Sequence, residues 1–262
     1  MEKLSLQLAE HYYASMVVST RHLPELQEDI EGSLKQGLLD EDFFQERLAW
    51  FKFKVPESLP EAQSLIVVAV PRPQSQAVFT WNGRSQALIL PPTYTAYDET
   101  TKKVQVLLAE ILEREGYKVA STALPLKLLS VRSGFAEYGR NNISYVSGMG
   151  SFLQLVAAYS DMPCEKDQWQ EAKMMKSCQE CQLCRQACPT GAIPSDRFLL
   201  RAERCIVYHN ERKGDIPFPE WMDPAWHNCV VGCLHCQRVC PHNRSFLQWI
   251  GEREEFTEKE TE

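Results

Sequence analysis

Across residues 101–115, Val104, Leu107, Leu108, Ile111 and Leu112 fall on one stripe at helical spacing. The pattern predicts an amphipathic helix that Gly116 ends. A second helix is predicted over 40–53, where Asp40 suits the N-cap and Phe43, Phe44, Leu48 and Phe51 recur. Pro56 and Pro60 break the chain after it. A third helix is predicted from Leu126 to Ser133, capped by Gly134. The apolar run from Ser64 to Val70 is strand-sized and ends at Pro71 and Pro73, so it predicts a buried strand. Residues 152–159, FLQLVAAY, predict another, and Tyr117 to Ser121 a shorter one. Residues 74–98 contain Pro91-Pro92 and read as a long irregular loop carrying Trp81, Tyr94 and Tyr97. Loops of that length are usually functional.

Residues 1–163 therefore read as a mixed α/β domain built around a sheet. From 164 to 250 cysteine, proline and charge dominate, and we place a domain boundary at that change. Residues 251–262 are mostly glutamate and read as a solvated, disordered tail. Hydrophobic residues make up 44% of the 262, enough for an ordinary core. No apolar run is as long as a membrane span, and the N-terminus lacks the apolar stretch of a secretion signal. A cytoplasmic protein without membrane contact is expected. The net charge of −7 argues against a nucleic-acid partner.

Ten cysteines in such a chain point to metal rather than disulfides. Cys178, Cys181, Cys184, Cys188 and Pro189 read C-x2-C-x2-C-x3-C-P, a spacing that holds [4Fe–4S] clusters. Cys233, Cys236, Cys240 and Pro241 form a second run, C-x2-C-x3-C-P. Paired C-x2-C units set well apart would suit zinc better. Two runs imply two clusters. In two-cluster ferredoxins the last cysteine of each run serves the other cluster. Applied here, Cys178, Cys181 and Cys184 take Cys240, while Cys233 and Cys236 take Cys188. The second cluster then needs one more ligand, and spacing alone leaves Cys205 and Cys229 both open. Cys164 stands alone and reads as a spectator. His235 and His242 read as neighbours of the clusters rather than ligands.

The segments CQLCRQACPTGAI, RCIVY and VVGCLHCQRVCPHN occur in the order found in epoxyqueuosine reductases and, more distantly, reductive dehalogenases. The chain resembles that family. Upstream, SLPEAQSLIVVAVPRP, RSGFAEYGRNN and GSFLQLVAAYSD are similar to its first core strand, its glycine-rich turn and its following strand. The resemblance implies a nitroreductase-like α/β (α+β) domain over 1–163, followed by a ferredoxin-like double [4Fe–4S] domain over 164–250. It also favours Cys205 over Cys229 as the missing ligand. Three departures accompany the likeness. Glu137, Tyr138 and Arg140 change the glycine-rich turn. Residues 120–125 offer no carboxylate where the family carries an acidic residue. The chain runs only about twenty residues past its last cysteine, where the family continues into a tRNA-binding region. These departures imply a substrate other than epoxyqueuosine-tRNA.

The resemblance further implies a cobalamin in the first domain, reduced by electrons that pass through the clusters from a ferredoxin or flavodoxin. Arg140, Asn141, Asn142, Ser144, Tyr145, Gly150 and Ser151 would hold that corrinoid. The same residues also read as an ordinary glycine turn. Tyr138 and Tyr97 are the candidate proton donors. The alternative is an electron-transfer protein that reduces a partner, such as a corrinoid protein, without a substrate of its own.

Overall fold

The computed structural model describes residues 2–261. Its first part contains α1 (Glu2–Ala9), β1 (Ala14–Ser19), α2 (Leu23–Lys35), α3 (Glu41–Arg47), β2 (Ser64–Pro71), β3 (Gln74–Trp81) and β4 (Arg84–Leu90). Next come α4 (Tyr97–Glu113), β5 (Val119–Ser121), α5 (Leu126–Arg132), β6 (Glu137–Tyr138), β7 (Ser144–Tyr145) and β8 (Leu153–Ser160). The remainder holds only short elements: α6 (Leu183–Ala187), α7 (Ile206–Asn210), α8 (His235–Arg238), β9 (Ile250–Phe256) and α9 (Glu258–Thr261).

The main sheet has the order β1-β2-β8-β5, with every neighbouring pair antiparallel. β2 is apolar from Leu65 to Val70 because both of its faces are covered. Leu65, Val67 and Ala69 pack with Leu26 of α2 and Leu129 and Val131 of α5. Ile66, Val68 and Val70 pack with Leu4 and Leu8 of α1 and with Val104, Leu108, Ile111 and Leu112 of α4. Alternation along the strand thus feeds two cores, one on each side of the sheet. The protein is a mixed α/β fold with three layers.

Three predicted segments differ. Residues 74–98 are not an irregular loop: β3 and β4 form a hairpin in register Ser75↔Leu90 to Trp81↔Arg84. Asn82 and Gly83 both take positive φ, 50° and 68°, as a tight two-residue turn requires. The helix predicted over 40–53 ends at Arg47. Asp40 does cap it, accepting from the Phe43 amide at 2.9 Å. Its phenylalanines are only half-buried, so little packing extends it, and the Trp50 indole donates to the Arg47 carbonyl at 2.9 Å. Residues 251–256, expected to be disordered, belong to β9, which runs parallel to β3. Phe256 stacks on Phe79 at 5.0 Å, while Glu252, Glu254 and Glu255 remain in solvent. The other predicted elements form within a few residues of their expected bounds, α4 beginning at Tyr97 rather than 101.

Candidate functional site

The cysteine segment winds through short helices and 3-10 turns, and its thiols gather into two sets. The Cys184 thiol is pushed up to about 11 by burial, with the charges of Cys178, Cys181 and Cys240 adding to it. Burial likewise raises Cys178, and Cys240 and Cys181 act on it in the same sense. In the second set, burial raises Cys236, reinforced by Cys205, Cys233 and Cys188. Cys233 is pushed up to about 12 by burial, with Cys205, Cys229 and Cys188 contributing. Cys205 feels burial and then Cys188. Crowded, desolvated thiols of this kind bind metal as thiolates and lose their protons on doing so. Among the described residues no three Cys, His, Asp or Glu side chains converge closely enough for a single ion. Four thiols spread around a larger body suit a cube.

Cys229 neighbours Cys233, but its own thiol, raised to about 11 by burial, turns to the Asn228 side chain at 3.3 Å. Cys164 lies apart, against Val17 of β1. His235 Nε2 pairs with the Trp226 carbonyl at 2.9 Å, and His242 Nε2 with the Ser177 hydroxyl at 2.8 Å.

The turn at 139–151 seats the cysteine segment. Arg140 donates to the carbonyls of Cys178, Gln179 and Cys181, the last at 2.9 Å. Asn142, at φ 56°, accepts from the Leu200 amide. Ser151 donates through its amide to Asn243 Oδ1 at 2.9 Å and through its hydroxyl to Gln237 Oε1 at 2.8 Å. Gly150, at φ +57°, lies so close to this segment that a Cβ would fall 2.5 Å from Asn243 Oδ1. Ser144 and Tyr145 are buried on β7. Most of the donors expected to grip a corrinoid thus have protein partners, while the Asn142 amide nitrogen has none. As arranged here, these residues offer that cofactor few free donors.

A cavity of about 320 Å3 opens beside them. All four thiols of the second set, Cys188, Cys205, Cys233 and Cys236, line it, and none of the first set does. Its size is at the small end for a ligand site, and the second cube must share it. Lys127, in the first turn of α5, is the one Lys or Arg on its wall, and no Asp or Glu joins it there. The side chain is open to the cavity yet closely surrounded by protein. Desolvation lowers its pKa, while the charges of Cys205, Glu211 and Cys236 act to raise it. This lysine was not singled out by sequence reasoning. It stands just after residues 120–125, where the family resemblance leads one to expect a carboxylate.

The two candidate proton donors lie elsewhere. Tyr138 packs against Phe198 and the sheet core and does not line the cavity; burial raises its pKa. Tyr97 opens α4, half-exposed, away from the cavity. Neither tyrosine lines the cavity. Tyr94 does reach the cavity, and its hydroxyl donates to Glu211. Burial, then Glu211, raises its pKa. Gly232 makes room for it: a Cβ there would fall 2.7 Å from the phenol oxygen.

Residues 177–243 match the family model described as a 4Fe-4S double cluster binding domain. The epoxyqueuosine reductase of Atelocyanobacterium thalassa is 25% identical over 230 residues, covering 83% of this chain and 70% of that protein. That of Pseudomonas aeruginosa is 32% identical, covering 56% of this chain and 41% of its own length. The chain is similar to epoxyqueuosine reductases and carries a double-cluster domain. Its fold agrees. The epoxyqueuosine reductase of Streptococcus thermophilus superposes with a TM-score of 0.61 at 19% identity, covering 93% of this chain and 66% of that one. The Bacillus subtilis structure gives 0.60 at 23%, covering 94% and 65%. The chain spans less than two thirds of most of these relatives. No helix among its described residues is long and apolar enough to cross a membrane.

Proposed function

We propose that the chain passes single electrons through two [4Fe–4S] clusters to an acceptor bound in the cavity. Cys178, Cys181, Cys184 and Cys240 hold the first cluster. Cys188, Cys205, Cys233 and Cys236 hold the second. The observation that carries this reading is the one-sided cavity, which meets the second set of thiols alone. Electrons then enter at the first cluster, where Lys176, Ser177, Gln179 and Glu180 are exposed to a docking donor. A ferredoxin or flavodoxin in the cytoplasm fits that role. The clusters supply low-potential one-electron chemistry. The chain's own part is to space them, exclude water and shape the cavity.

The acceptor is a molecule small enough for the space left beside the second cluster. Pro91, Pro92, Ile143, Leu153 and Ile193 give the cavity apolar walls, while Lys127 and Tyr94 supply polar ends. The donors at 139–151 mostly serve the cysteine segment, which leaves the corrinoid implied by the resemblance little to hold it, so no step is routed through one. Reduction of epoxyqueuosine in tRNA is set aside too, because residues 120–125 lack the acid and the net charge is −7.

Anaerobic purification tests this directly. Roughly eight irons per chain are expected, four for each cluster. Cys205→Ala should lose about half of the iron, and Cys229→Ala should keep all of it. The opposite result would move the fourth ligand to Cys229. Zinc in place of iron would end the reading. Added cobalamin should leave the visible spectrum unchanged, and a base-off corrinoid spectrum would restore the corrinoid as acceptor.

A further inference from the structure

Asn141 and Tyr145 stand between the two thiol sets. They are 4% and 5% exposed, and Asn141 Nδ2 donates to the Tyr145 hydroxyl at 3.0 Å. Tyr145 packs with Met175 and Cys178, and Cys240 closes on the same cluster. Asn141 shares the cavity wall with Cys236. One residue of the pair therefore faces the first cluster and the other faces the second.

The donor inventory closes. Asn141 Oδ1 accepts from the Ile143 amide at 3.3 Å. Its nitrogen carries two hydrogens, one directed to Tyr145 and the other left for Cys236. The phenol oxygen has accepted from Asn141, so its own hydrogen is free for Cys240. Gly139 holds the pair in place from the third side. A Cβ there would fall 2.5 Å from Asn141 Oδ1 and 2.6 Å from a Tyr145 ring carbon. No other residue type leaves the pair its present position.

We propose that Asn141 and Tyr145 form a hydrogen-bonded bridge that donates to one ligand sulfur of each cluster and thereby sets both potentials. The proposal rests on the two-cluster reading above. A hydrogen bond to a thiolate sulfur draws off electron density and favours the reduced, more negative cluster, so it raises the potential. Burial strengthens the effect, because little water competes. Both residues are positioning residues, acting through the ligand sulfurs.

The test is a potentiometric titration followed by electron paramagnetic resonance on the anaerobic holoprotein, with Cys205→Ala used to identify the signal of the first cluster. In Tyr145→Phe the first cluster should become about tenfold less reduced at its original midpoint, a fall of about 59 mV for one electron. The second cluster should not move. In Asn141→Ala the second cluster should fall by a similar amount. Full iron with both midpoints unchanged would overturn the bridge. If one variant loses iron, the other decides. Loss of iron in both would also overturn it, assigning the pair to packing alone. A wild-type protein without two clusters would instead defeat the underlying reading.

Discussion

Asn243 clasps Ser151 at both ends of its side chain: Oδ1 accepts from the Ser151 amide at 2.9 Å, and Nδ2 donates to the Ser151 hydroxyl at 2.8 Å. Asn243 has no solvent exposure and also donates to the Gln237 carbonyl at 3.0 Å. A residue just after the last cysteine is thus fastened to the end of the turn that leads into β8. Asn243→Ala leaves these groups buried without partners. We expect it to destabilise the holoprotein by about 2–3 kcal/mol. Gly150→Ala should cost about as much, because its Cβ meets Asn243 and its φ is positive. The urea midpoint under anaerobic conditions reads both effects.

A second joint ties residues 164–170 to the sheet, and it is sensitive to acid. His22 lies between Glu25 at 2.8 Å and Asp167 at 2.9 Å, and its ring stacks on Trp169 at 4.2 Å. The His22 hydrogen bond holds Glu25 below the usual carboxylate range, and the Trp169 indole assists. Burial acts to raise Asp167, but the Ser19 amide, His22 and Arg21 together bring it below its ordinary value. Both folded values lie under the unfolded ones, near 4. Their stabilisation is therefore complete above about pH 4.5 and is lost as pH falls through the folded values. Asp167→Asn should flatten the stability profile between about pH 4.5 and 3. The far-UV signal of the two proteins over that range checks it.

Lys127 is the one Lys or Arg on the cavity wall beside the second thiol set. An ammonium on that wall favours the extra negative charge of a reduced cluster. Lys127→Gln should lower the potential of the second cluster and leave the first in place, while Lys127→Arg should stay close to wild type. The same potentiometric titration separates the two outcomes.

Tyr94 and Gly232 meet at the mouth of the same cavity. With φ at +74° and the phenol 2.7 Å from where a Cβ would stand, Gly232→Ala is strained twice over. A loss of about 1–3 kcal/mol is expected, with Tyr94 displaced from Glu211. Tyr94→Phe keeps the ring and should cost less. Comparing the denaturation midpoints of the two variants distinguishes crowding from the lost hydrogen bond.

The two core strands and the α4 stripe were legible because each buries a continuous or periodic apolar surface. The hairpin was not, since the prolines after it drew attention away from Asn82-Gly83, a two-residue turn signal in its own right. β9 escaped notice because its glutamates face solvent and only Ile250 and Phe256 anchor it. In the site, cysteine spacing identified the cluster chemistry, since that chemistry depends on short-range geometry. It did not reveal that Arg140, Gly150 and Ser151 serve the cysteine segment, because their partners lie roughly forty to ninety residues away. Lys127 gave no signal: a lysine in the first turn of a short helix usually faces water.

Removing iron should affect the two parts of the chain unequally. Between 177 and 243 the helices have four or five residues, too short to persist by themselves. The buried apolar side chains there, Ile193, Ile206, Tyr208, Met222 and Leu234 among them, are spread between these short elements. Clusters that bind both cysteine runs are thus the main constraint on that segment, as in other small metal-dependent folds. The main sheet is different. β2 and β8 pair over eight residues, and both faces are packed by helices. After chelation of the iron, protease should cut first between about 177 and 243, while Ser64–Pro71 and Leu153–Ser160 keep their hydrogen-exchange protection. Simultaneous loss of protection in those strands would mean that the sheet, too, depends on the metal.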